Sequence, residues 1–172
     1  MVEELVDPRR HEPPYDLPER QMLEEWLEFH RVTLLMKCEG LSDEQRKRRA
    51  IPTSSLSLHG LVRHMAEVER SWFVRVLLRE PETPRYFATP GAGDAALVPL
   101  DDAVWEDDLE MWRGACNAAR TSASHKQLDD AGLRDGRPCT LRWIYVHMIE
   151  EYARHNGHAD FLRELVDGTV GW

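Results

Sequence analysis

Three histidines and two adjacent glutamates fall within "HMIEEYARHNGHADFLRE", residues 147–164, where isoleucine, methionine and leucine recur at helical spacing. On a helix Glu151 and His155 stand one turn apart, about 6 Å of rise, so a carboxylate and an imidazole can converge on one point. His64, in the separate helical stretch "LVRHMAEVERSWF", offers a second imidazole. Two neutral imidazoles and a carboxylate suit a divalent cation, and three protein ligands leave a position open for water or substrate, as in catalytic zinc sites. A cation would also compensate an ionised Glu151 in buried surroundings, where an unpaired charge is costly.

With Glu151 set at zero and about 100° per residue, His147 falls near −40°, His158 near −20° and His155 near +40°. Ile144, Met148, Leu162 and Leu165 share that sector, so the polar groups are expected to interrupt the buried stripe. His64 shares its sector with Leu61, Val68 and Trp72 and should also face inward. The same residues admit plainer accounts: an inward histidine is often hydrogen-bonded core, and Glu151 with His155 could be a helix-surface pair. His155 and His158, an i, i+3 pair, compete as chelators, while His147 and His155 lie about 12 Å apart along the axis. His64, Glu151 and His155 are the candidate metal ligands. Trp72, His147 and His158 are candidate pocket residues around them, and Glu150, rotated off the stripe, is expected to be solvated.

Four long segments of helical period must position these groups, and none shows the sustained alternation of a half-buried strand. The first runs from about Glu19 to Cys38, with Met22, Trp26, Phe29 and Leu34 near one face, and stops near Gly40. A short helix over Ser42 to Arg49 has Ser42 as N-cap with Gln45 three residues on, as in a capping box. Ser57 caps the second long helix, Leu58 to about Leu78. Residues 80–102, with four prolines and two glycines, make a long loop. Loops of that length in compact domains are often functional. The third long helix runs from about Asp101 to Ser122, its acidic start suiting the helix dipole. Asp135 and Gly136 can form a tight hairpin, and Thr140 then caps the fourth, which runs to about Val166 and stops at Gly168. The predicted fold is all-α: a four-helix bundle with a short extra helix and a long loop between helices 2 and 3, in one domain over residues 1–172. Trp26, Trp72, Trp105, Trp112 and Trp143 lie on these helices and read as core more than as a cofactor box.

The chain has 172 residues and a formal net charge of −9, a poor match to a phosphate backbone. Its one dense basic run, "EQRKRRA" at 44–50, reads as a solvated short helix, so no nucleic-acid partner is expected. Cys38, Cys116 and Cys139 are widely spaced with no C-x-x-C pair, which suits a reducing cytoplasm. No uncharged run reaches the ~18 residues of a membrane span, and the acidic, Pro-rich start has no apolar leader region, so no membrane partner is expected. There is no H-E-x-x-H, G-x-S-x-G or G-x-x-x-x-G-K, and Cys139 lacks the second cysteine of a nucleobase deaminase.

"SLSLHGLVRHMAEVERSWF" (55–73) and "LRWIYVHMIEEYARHNGHADFLRELVDG" (141–168) resemble the two hallmark helices of the DinB-like superfamily, in an actinobacterial-type branch. "LEEWLEFHRVTLLMKCEGL" and "GLSDEQRKRRAIPTSSLSL" match the same branch. The resemblance implies the superfamily's four-helix bundle, often a homodimer, holding one divalent metal through a histidine of the second helix and two residues of the last. Many members carry His-x-x-x-His followed by Arg-Gly-Gln. Here that register holds Glu151 and His155 followed by Asn156, Gly157 and His158, with glutamate in the first histidine's place. A mycothiol-dependent isomerase of the superfamily is similar in using His with Glu-x-x-x-His, which assigns the ligand role to His64, Glu151 and His155.

By ligand type zinc is the expected metal, with nickel or iron as alternatives. Relatives that use mycothiol or bacillithiol imply a low-molecular-weight thiol as cosubstrate and a small-molecule electrophile as its target. Two other readings remain open at this level: hydrolysis by a metal-activated water, and metal or small-ligand binding without catalysis.

Overall fold

Three of the helices begin at a Ser or Thr side chain that accepts an orphan backbone N–H. In a computed structural model that describes residues 9–87, 96–97 and 101–170, α1 spans Glu19–Cys38 and α2 spans Asp43–Lys47. Ser42 closes the expected capping box: its Oγ accepts from Gln45 N at 3.3 Å, and its own N–H donates to Gln45 Oε1 at 2.9 Å. Ser57 Oγ accepts from Gly60 N at 3.1 Å and starts α3, Leu58–Glu69.

The periodicity predicts α-helix to Leu78, but over Arg70–Val76 the turns widen to a π-helix, with Leu77 N–H donating to Trp72 O, five residues back, at 3.0 Å. The wider turn lets consecutive residues Trp72 and Phe73 both face the core.

Helix α4, Trp105–Ser124, begins later than the predicted Asp101, and its acidic first turn is Glu106, Asp107 and Asp108. Strands β1, Ala131–Arg134, and β2, Arg137–Thr140, pair antiparallel with Arg134 opposite Arg137. Asp135 and Gly136 between them have φ of 48° and 76°, the left-handed pair of a two-residue hairpin turn. Thr140 Oγ1 accepts from Trp143 N at 3.3 Å and starts α5, Leu141–Asp167, which ends at Gly168 with φ 81°. The predicted long loop lies partly outside the described residues, at 88–95 and 98–100.

The described chain is mostly helical. Helix α1 packs along α5, α3 along α4, and α3 also meets α5. The buried residues of α5 include Ile144, Met148, Tyr152, Ala159 and Leu162, a stripe at helical spacing. On α1 the buried set is Leu27, Arg31, Thr33, Leu34 and Cys38, whereas Met22, Trp26 and Phe29 are only half-buried. Of the predicted face Leu34 is buried as expected, while the rest of the buried line runs beside Met22, Trp26 and Phe29 and holds an arginine.

Arg31 is that arginine. The residue is 3% exposed, and its guanidinium forms a bidentate pair with Glu69, fully buried at the end of α3, with Nε–Oε1 at 2.7 Å and Nη2–Oε2 at 2.6 Å, while Nη1 donates to Glu28 Oε1 at 2.6 Å. Glu69 Oε1 also accepts from Tyr152 Oη at 2.8 Å, and Trp112 Nε1 donates to that hydroxyl at 3.0 Å. One polar network therefore ties α1, α3, α4 and α5 together through the core. A buried charge needs such satisfaction on every side. No helix among the described residues is long and apolar enough to cross a membrane.

Candidate metal centre

On α5 the residues His147, Glu151 and His155 follow one another at i, i+4, i+8, immediately beside the apolar line of Met148 and Tyr152. They are half-buried and flank the stripe where they were expected to interrupt it, and Leu165, expected in the same sector, is 51% exposed. The flank faces α3, and His64 meets it there. The His64 and His155 rings stand 4.6 Å apart, centre to centre, at 62°. One ligand-type atom from each of His64, Glu151 and His155 lies within 4.8 Å of the others.

Glu151 divides its carboxylate between two neighbours. Oε2 lies 3.6 Å from His155 Nε2, and Oε1 lies 3.3 Å from His147 Nε2. His155 presents its other nitrogen, Nδ1, to His158 Nδ1 at 3.3 Å, so one of the two must carry the shared proton. His158 thus reaches the set through His155. Burial holds His147 below the usual imidazole value, although Glu151 and Glu150 pull the other way. Glu150 is exposed, as expected, and pairs with Arg154.

A cleft of about 600 Å³ opens beside these groups, lined by His64, Glu67, Val68, Ser71, Trp72, Arg85, Arg134, Trp143, His147 and Glu151. Trp72 is buried, and its ring lies 4.5 Å from that of His147. Trp143 corrects an expectation: it is 49% exposed, not core, and stacks on His147 with centres 4.9 Å apart and planes at 19°. Its signal was available, because Trp143 is one turn before His147 and off the phase of Ile144 and Met148. Arg134 and Arg85 were not legible. They come from the ribbon and from the segment after the π-helix, and only tertiary packing brings them to the cleft.

The chain's own thiols are poor nucleophiles. Burial pushes the Cys38 thiol up to about 12, raises Cys116 further with help from the Glu69 carboxylate, and raises Cys139 as well. All three stay protonated near neutral pH, and thiolate is the reactive form.

The model of a family described as mycothiol-S-transferase matches residues 22–168. The chain belongs to the mycothiol-S-transferase family. Within the DinB-like superfamily, then, the mycothiol-S-transferase match begins inside α1 and ends at the glycine that stops α5. It takes in every ligand candidate and the whole aromatic wall of the cleft. No curated protein matches the chain.

Proposed function

We propose that the protein is a divalent-metal-dependent transferase that binds a mycothiol-type thiol and joins its sulfur to a small electrophile, on a four-helix-bundle scaffold formed by α1, α3, α4 and α5. The observation that carries this reading is the convergence of His64, Glu151 and His155 from two helices at the edge of one cleft. Family membership points the same way.

The donor set fits a metal. If His155 donates its Nδ1 proton to His158, its Nε2 lone pair faces Glu151 Oε2 at 3.6 Å, two electron-rich atoms that a cation between them would satisfy. His147, whose Nε2 lies 3.3 Å from Glu151 Oε1, would steady that carboxylate from its other side. His64, Glu151 and His155 would hold the ion, and zinc fits two imidazoles and a carboxylate with one position open. At such a set a divalent ion supplies Lewis acidity, which favours the thiolate form of a thiol that reaches it.

The residues do the rest. Trp72, Trp143 and His147 form an aromatic wall that excludes water from one side of the cleft and can support a flat electrophile. Cys38 and Cys116 are buried and burial disfavours the thiolate at all three cysteines, which supports a sulfur that arrives with the cosubstrate.

The test is metal content of the purified protein, together with conjugation of monochlorobimane to mycothiol, for wild type and His155→Ala. The expected result is about one divalent ion per chain and thiol-dependent turnover, both lost in the variant. Metal-free wild type prepared without chelators, or a variant that keeps its metal, would overturn the ligand set. Thiol-independent ester or amide cleavage would replace transfer with hydrolysis.

A further inference from the structure

Two arginines that the thiol does not call for line the cleft, beside Glu151 and beside Glu67, whose Oε2 accepts from Tyr86 N at 2.8 Å. Arg134 and Arg85 both line it, in a chain whose net charge is −9. Mycothiol, with its cysteine carboxyl tied up in an amide, has no carboxylate for them to bind. Arg134 is placed by the fold: its guanidinium carbon lies 4.2 Å from the centre of the Trp72 ring, a cation–π stack on the wall of the cleft.

The ribbon that carries Arg134 is held against the π-helix. Gly132 packs so closely that a Cβ there would stand 2.2 Å from Val76 O, and Arg79 Nη2 donates to Ala131 O at 2.9 Å. Asp135 is the near carboxylate, 3.6 Å from Arg134 Nε, but it is 90% exposed, and so solvated a pair leaves the guanidinium's donors available. A stacked guanidinium presents its N–H fork along its edge, which matches the two oxygens of a carboxylate.

We propose that the electrophile is a carboxylate-bearing molecule with a flat apolar body. Its body would lie on Trp72 and Trp143, and its carboxylate would be bound by Arg134 with Arg85 in support. This rests on the transferase reading and names the substrate class of the same cleft. The anion binds at the edge, so the electrophilic carbon can turn inward toward His64 and Glu151. In a transfer of this kind the sulfur forms a bond to that carbon, the carbon's leaving group departs with its electron pair, and the thiol proton goes to solvent.

The experiment compares matched pairs on metal-replete protein. Unreactive 4-methylbenzoate and 4-methylbenzamide are titrated by calorimetry; 4-(chloromethyl)benzoate and 4-(chloromethyl)benzamide are turned over with mycothiol, releasing chloride. Wild type should bind the carboxylate about ten- to a hundredfold more tightly than the amide. Arg134→Gln should erase that preference and raise KM for the carboxylate with little change in kcat, while amide binding is kept. Arg85→Gln should weaken the preference in part, which also covers a misfolded Arg134 variant.

Equal binding of the two probes, or a preference that survives both substitutions, overturns the anion site even if monochlorobimane is conjugated. A carboxylate preference that depends on Arg134, with no thiol transfer to any electrophile, upholds the anion site and sinks the transferase reading.

Discussion

The imidazoles of His64 on α3 and His155 on α5 stand 4.6 Å apart in a T-shaped arrangement, although they come from opposite halves of the chain. Bringing two imidazoles and the Glu151 carboxylate together concentrates lone pairs in a half-buried place. Removing a bound cation should therefore loosen the contact between the two helices.

Metal removal should lower thermal stability. A ligand present at about 1,000 times its dissociation constant adds about 4 kcal/mol, and 1 kcal/mol moves Tm by roughly 2–4 °C in a domain of this size. Scanning calorimetry with zinc and then with EDTA should show a fall of roughly 8–16 °C in wild type. His155→Ala should melt at the same temperature in both. An unchanged wild-type Tm would count against the ligand set.

Breaking the Arg31–Glu69 pair should be among the most damaging single changes. Glu69 is fully buried and accepts from Arg31 and Tyr152, so Glu69→Ala leaves a buried guanidinium with only the half-exposed Glu28, 2.6 Å from its Nη1, as counter-charge, at up to about 3–5 kcal/mol. Replacing both partners, as Arg31→Met with Glu69→Leu, should recover most of that loss. Urea unfolding of the two singles and the double tests it; additive losses would mean that the two side chains act independently.

Gly132 and Gly114 should respond to alanine in opposite directions. A Cβ on Gly132 meets the backbone of Val76 and Leu77 at 2.2 to 2.7 Å, so the ribbon must move, at about 1–3 kcal/mol. Gly114, within α4, has nothing within 4 Å, and alanine there should stabilise by about 0.5–1 kcal/mol. Gly132→Ala should also shift Arg134 off Trp72, readable as a change in tryptophan fluorescence. A neutral Gly132→Ala would show that the ribbon is not held where it lies.

Stability should fall on acidification through His30. Burial, with a lesser contribution from Arg10, holds its imidazole below the ordinary value of 6.5. The unfolded chain therefore takes up the proton first, and as pH drops below about 6.5 the folded state loses stability, at up to about 1.4 kcal/mol per pH unit for one proton. Above that value the group contributes no slope. Denaturant unfolding at pH 7.5 and 5.5 should show a smaller drop for His30→Gln than for wild type; equal drops would remove His30 as a cause.

The elements of this fold were legible because their signals are short-range. Ser42 with Gln45, Ser57, Thr140, Gly168 and the Asp135–Gly136 turn each act within a few residues, and each sits where the sequence places it. The spacing of Glu151 and His155 is likewise a property of one helix. Tertiary packing decided what one helix cannot: that α3 brings His64 to that pair, that the polar line flanks the buried stripe, and that Arg31 belongs inside because Glu69 waits there. It also decided that Trp143 faces the cleft and that Arg134 arrives from the ribbon to stack on Trp72. The physical reason is that helical phase and caps are set by neighbours along the chain. The burial of a charge, or the company of an exposed aromatic ring, depends on partners supplied by other elements.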